Sequence, residues 1–145
     1  MASKTWFYGK NVLLTGASSG IGFYIANLLV SKYACHVVGV GRNIQKLENA
    51  KKAIEENVIK IKESKRKRDI EFGSFRYMSL DISLYEHWEK LKRELDESDF
   101  KLDILINNAG IILPFLIFKS SMKTLYEYRC AKKFVSKTFF ASSIV

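Results

Sequence analysis

The stretch "TGASSGIG", Thr15 to Gly22, has the residue types that hold phosphate. Its glycines let a chain turn tightly, approach a pyrophosphate closely and pack a following helix against a sheet. The amides that open such a helix have no partner within it and point at the ligand. Arg42, just after "HVVGVG", adds a guanidinium, a group that pairs with phosphate through charge-assisted bonds. Tyr128 and Lys132 in "YRCAK" stand four residues apart, so on a helix they share one face, a spacing suited to proton transfer.

These groups need a scaffold, and strand and helix signals alternate to provide one. "NVLLT" (11 to 15) is a short apolar run closed by the glycine turn, and a helix over 22 to 32 follows with Ile25, Leu28 and Leu29 on one face. "HVVGVG" (36 to 41) is a second buried-type strand. Asn43 then caps a helix in which Leu47, Ala50, Ile54, Val58 and Ile61 recur at helical spacing. "FRYMSL" (75 to 80) is the third strand; Ser83 and Glu86 after it have the spacing of a capping box, opening a helix that runs to about Ser98. "LDILINN" (102 to 108) is the fourth strand. Strands separated by helices of this length imply a parallel sheet with helices on both faces. The expected fold class is α/β, doubly wound and Rossmann-like, with strand order 3-2-1-4, a C-terminal helix, and an incomplete C-terminal side.

The 145 residues suit one domain with a sizeable core. Two cysteines, Cys35 and Cys130, are too few for a disulfide framework, and no apolar cleavable leader precedes Gly9, so the expected location is cytoplasmic. The longest apolar run, "IILPFLIF" (111 to 118), falls short of the ~20 residues a bilayer requires, and no transmembrane segment is expected. The net charge of +9 is concentrated in "KIKESKRKRD" (60 to 69) and in the tail after Lys119. With no nucleic-acid-binding motif beside it, the first run reads as a solvated helix end, and no nucleic-acid partner is expected. His36 and His87 have no second ligand at metal spacing, and no metal is expected. Cys130 has no base beside it that would make its thiol a nucleophile.

The chain resembles the short-chain dehydrogenase/reductase family, whose nucleotide turn reads T-G-x-x-x-G-x-G. The likeness covers residues 10 to about 112 in order and spacing: "TGASSGIG", "GRN" after the second strand, "LDIS" after the third and "NNAG" (107 to 110) after the fourth. It implies that Gly16, Ser18, Ser19, Gly20, Ile21 and Gly22 line the cofactor phosphates. Asp81 and Ile82 would then flank the adenine, and Asn108, Ala109 and Gly110 would back the ribose. Asn107 is the residue expected to bond backbone between strands. Gly41 stands where an acid would accept hydrogen bonds from an unphosphorylated ribose, and Arg42 follows it, so NADP is favoured over NAD.

In that family a tyrosine exchanges the proton on the substrate oxygen, while a lysine one turn on lowers its pKa and holds the nicotinamide ribose; Tyr128 and Lys132 are the candidates here. With 7 tyrosines and 18 lysines, about one Tyr-x-x-x-Lys match is expected by chance. Spacing argues against the assignment. Tyr128 lies only 18 positions after Gly110, whereas a crossover helix needs ~10 to 12 residues and a strand ~5 to 6, which leaves none for a serine loop. One helix starting near Ser120 or Ser121 would make the pair solvent-facing; an internal deletion would instead join a genuine catalytic helix to the nucleotide half.

Three functional classes follow. The resemblance implies an NADP-dependent oxidoreductase moving a hydride between nicotinamide and a carbonyl or alcohol carbon. The missing spacing implies a catalytically silent nucleotide-binding module. The basic, aromatic segment "KTLYEYRCAKKFVSKTFF" after "IILPFLIF" suggests a module that docks on a partner or a membrane surface. Self-association through the bared edge of the fourth strand is a related expectation.

Overall fold

A computed structural model describes residues 6–64 and 70–110. Four strands, β1 (Asn11–Thr15), β2 (His36–Gly41), β3 (Ser74–Ser79) and β4 (Ile104–Asn107), alternate with three helices, α1 (Gly20–Tyr33), α2 (Ile44–Ser64) and α3 (Tyr85–Glu97). The strands form one parallel sheet in the order β3-β2-β1-β4, as the alternating pattern predicts.

Central strands buried on both faces should be apolar without interruption. β1 and β2 meet that condition: Val12, Leu13, Leu14, Val37, Val38 and Val40 are all essentially inaccessible to solvent. Pairing of Val12 with Val37, and of Val37 with Phe75, sets one side of the sheet against α1 and α2, where Val12, Leu14, Ala26, Leu29, Val30, Val37, Ile54 and Phe75 make one cluster. The alternate positions look the other way, toward α3: Val40 and Leu80 face a recess closed by Leu91 and Trp88. Each fully buried Leu or Val in these layers contributes roughly 1.5–3 kcal/mol.

Local chemistry explains where the elements begin and end. Asn43 caps α2, its side-chain oxygen accepting from Lys46 N at 2.9 Å. α1 starts at Gly20, two residues before the periodicity predicts, because Ser19 takes the extended N-cap conformation inside the glycine turn. β4 is shorter than its apolar run. Asp103 leaves the strand to bind β1, its carboxylate accepting from Asn11 N at 2.9 Å and from Lys10 Nζ at 3.2 Å.

The expected capping box at Ser83 and Glu86 does not form. Leu84 is the N-cap of α3, with no side-chain cap bond, and Ser83 turns back to the Asp81 carboxylate instead. A local Asp–Ser turn has outcompeted the helix cap for the same hydroxyl. Among the described residues no helix is long and apolar enough to cross a membrane, and no group of His, Cys, Asp and Glu could hold a metal ion.

Candidate nucleotide-binding site

Parallel strands bring their carboxyl ends to one edge of the sheet, and β1 is flanked there by β2 on one side and β4 on the other. Ligands of open α/β sheets bind beyond the strand ends at such a point. The turn after β1 is fixed by contacts that only small residues allow. Gly16 has φ +71, in the left-handed region, and its amide donates to Val40 O at 2.7 Å. A Cβ on Gly16 would stand 2.9 Å from Ala109 Cα. A Cβ on Gly22 would collide with Gly16 O and come within 2.5 Å of Asn108 Nδ2, so the first turn of α1 rests directly on the end of β1.

β4 is tied to the same place by one hydroxyl. Thr15, 1% exposed, donates through Oγ1 to Ile106 O at 3.5 Å and accepts from Asn108 N and Ala109 N, each at 3.1 Å. Asn108 Nδ2 donates to Thr15 O and Gly16 O, both at 3.2 Å. Bonding between strand ends, expected of Asn107, is therefore the work of Asn108, while Asn107 is exposed at the end of β4. Nothing in the spacing of the glycine turn singles out Thr15 for this task. The signal for it was a lone hydroxyl ending an otherwise apolar central strand.

The rest of the turn is open. Gly20 has φ +57, and a Cβ there would meet nothing within 4 Å. Ser19 and Gly20 are exposed, and Ile21 is 74% exposed at the mouth of α1. The first turn of α1 carries no acidic residue, so the positive end of the helix is not neutralised. Open space, glycine and uncompensated amides make a cradle for a phosphate group.

At the ends of β2 and β3, Arg42 is exposed, and among the described residues its guanidinium forms no ion pair. Gly41 leaves room beside it: a Cβ there would make only ordinary contacts, 3.5 Å from Leu47 and 3.6 Å from Ser18. Ser79 Oγ donates to Arg42 O at 3.1 Å and ties the two strand ends together. Asp81 follows, half-buried, its Oδ1 accepting from Ser83 N at 2.9 Å and Ser83 Oγ at 2.7 Å. Those two bonds hold its carboxyl below the usual carboxylate range, and the nearby Arg42 and His87 add to the effect against the opposing cost of burial.

The structure thus gathers Gly16, Ser18, Ser19, Gly20, Ile21, Gly22, Asn108, Ala109 and Gly110 at the ends of β1 and β4, and Arg42, Asp81 and Ile82 at the ends of β2 and β3. Tyr128 and Lys132 lie outside the described residues, as do the apolar run from residue 111, the basic aromatic tail and the 65–69 part of the basic run.

This sheet and glycine turn are those of a nucleotide-binding α/β protein, and the chain belongs to the short chain dehydrogenase family, whose sequence pattern matches residues 10–132. An uncharacterized oxidoreductase of Schizosaccharomyces pombe is 30% identical over 138 residues, 94% of this chain and 36% of that protein. The citronellol catabolism dehydrogenase AtuB of Pseudomonas aeruginosa superposes with a TM-score of 0.67 at 28% identity, covering 95% of this chain and 52% of that one. The L-sorbose reductase of Gluconobacter frateurii, solved with NADPH and L-sorbose, shares the fold with a TM-score of 0.65 at 24% identity, over 86% of this chain and 41% of that one. The chain spans about a third of the length of the first curated relatives.

Proposed function

We propose that residues 10 to 110 bind NADP as the nucleotide half of a short-chain oxidoreductase. The observation that carries this reading is the pairing of an open cradle at Ser19–Gly20 with the exposed Arg42 side chain beside Gly41. Amides at the start of α1 would hold the diphosphate. Arg42 would pair with the 2′-phosphate, and no acid at position 41 opposes that charge. Asp81 and Ile82 would flank the adenine, and Asn108, Ala109 and Gly110 would back the ribose.

When bound, the nicotinamide supplies a hydride donor or acceptor for a carbonyl or alcohol carbon. Tyr128 and Lys132 are the candidate proton-transfer pair, and the family match that ends at residue 132 takes in both. A second reading, nucleotide binding without turnover, is favoured by the short step of 18 positions from Gly110 to Tyr128. NADPH oxidation against a panel of carbonyl compounds, run beside calorimetric NADPH binding, separates the two. Turnover that is lost in Tyr128→Phe with binding retained establishes the catalytic pair; binding with no turnover establishes the silent module; no binding refutes both.

A further inference from the structure

The turn from β3 into α3 is held by two consecutive side chains of the helix that follows it. Leu80 N donates to Gly41 O at 2.8 Å and carries the β2–β3 ladder one residue beyond Ser79. The ladder stops there, so the next amide, Asp81 N, needs a partner from elsewhere. His87 supplies it, its Nδ1 accepting from Asp81 N at 2.9 Å. Trp88 Nε1 donates to Ile82 O at 2.8 Å. The bonds at Asp81 Oδ1 close the other side of the turn, and Leu84 N donates to Asp81 O at 3.2 Å.

Both rings are partly buried and share a recess with Val40, Leu80, Ile82 and Leu91. Packing alone would be met by two apolar residues, whereas here one ring presents an acceptor to an amide and the next presents a donor to the following carbonyl. The same Nδ1 lies 3.1 Å from Asp81 O, so either tautomer ties the ring to the Asp81 backbone: a bare Nδ1 accepts from the amide, a protonated one donates to the carbonyl.

We propose that His87 and Trp88 are positioning residues that fix the two-residue segment Asp81 to Ile82 from both ends, and through it the adenine end of the dinucleotide. This inference rests on the reading above that puts the adenine against Asp81 and Ile82. The recess leaves the two rings little freedom, so a turn clasped at both the Asp81 amide and the Ile82 carbonyl is ordered before ligand arrives, and binding does not have to order it.

The test is calorimetry of NADPH with the full chain and three variants. His87→Leu and Trp88→Phe keep the apolar contacts and remove one bond each; each should bind NADPH about five-fold more weakly. His87→Asn, whose side-chain oxygen can stand near the place of Nδ1, should recover most of the loss, which a purely space-filling role would not predict. Hydrogen exchange at the Asp81 amide should quicken in His87→Leu and slow again in His87→Asn. If His87→Leu fails to fold, Trp88→Phe decides the matter by affinity alone. Unchanged affinity in variants of a parent chain that binds NADPH overturns the positioning roles and leaves the nucleotide reading intact; a parent chain that binds no NADPH overturns both.

Discussion

The turn after β1 and the turn after β3 lie at the same end of the sheet and are made rigid by opposite means. The first is built from absences. Gly22 must lack a side chain so that α1 can rest on Gly16 O, and Gly16 must lack one to clear Ala109. The second is built from side chains: Ser83 on the Asp81 carboxylate, His87 on the Asp81 amide, Trp88 on the Ile82 carbonyl. The first leaves its amides exposed, which suits an anion. The second consumes its own polar groups and leaves a turn that suits a flat, weakly polar ring. On the proposed reading, backbone that would touch phosphate is kept bare, while backbone that would only frame a base is tied down.

Breaking the first turn should have the largest effect. Gly22→Ala drives a methyl group into Gly16 O and Asn108, and overpacking of this kind costs about 1–3 kcal/mol. The thermal midpoint should fall by several degrees, and NADPH binding should be lost, as calorimetry on the still-folded fraction would show. Thr15→Val keeps the shape of the residue and removes the hydroxyl that serves Ile106, Asn108 and Ala109. Leaving those part-buried backbone groups without the hydroxyl should cost about 1 kcal/mol in a urea titration. An unchanged midpoint would show that the strand ends of β1 and β4 are held by the ladder alone.

The contrast between the two turns also explains how much could be read from the sequence. A glycine turn is visible in a string of letters, and "TGASSGIG" and "NNAG" mark the turn after β1 and the end of β4 that packs on it. The four strands followed from apolar runs alternating with helical periodicity, their order from the dinucleotide-binding fold that the chain resembles, and the Asn43 cap from one residue type at one place. A site made of side chains reaching back six residues leaves no such mark. Ser83 carried the local signature of a capping box and was taken by Asp81 instead, a competition that only three-dimensional proximity decides. His87 stands in the sequence only as a metal ligand without company, and of the two adjacent asparagines the structural role was expected of Asn107, with Asn108 at the ribose, whereas it is Asn108 that turns inward.

The second turn can be sharpened through pH. Asp81 has a folded pKa below its unfolded value of about 3.9. Its carboxylate therefore contributes stability that is present above that value and is lost as the pH falls through the lower, folded pKa. Asp81→Asn should lower the melting temperature slightly at neutral pH, where the carboxylate contributes, and leave it nearly unchanged well below about pH 4, so that the acid limb of the profile is flatter. Asp103 follows the same rule, held low by the Asn11 amide first and then by Lys10. A double variant should thus flatten the limb further; an acid limb that neither variant alters would remove both carboxylates from the account. The effect is the smallest of the set, because each group stands near solvent, which screens it.

The claim on which the rest depends is that the exposed Arg42 beside Gly41 reads a 2′-phosphate. The direct measurement is the ratio of NADPH to NADH affinity for the parent chain and for Arg42→Ala, a surface change that leaves the core untouched. A charge-assisted pair contributes about 1.5–3 kcal/mol, so the parent should prefer NADPH by roughly ten-fold or more, and the variant should bind the two alike. Equal affinity for both nucleotides in the parent, or a preference that survives in Arg42→Ala, would contradict the account.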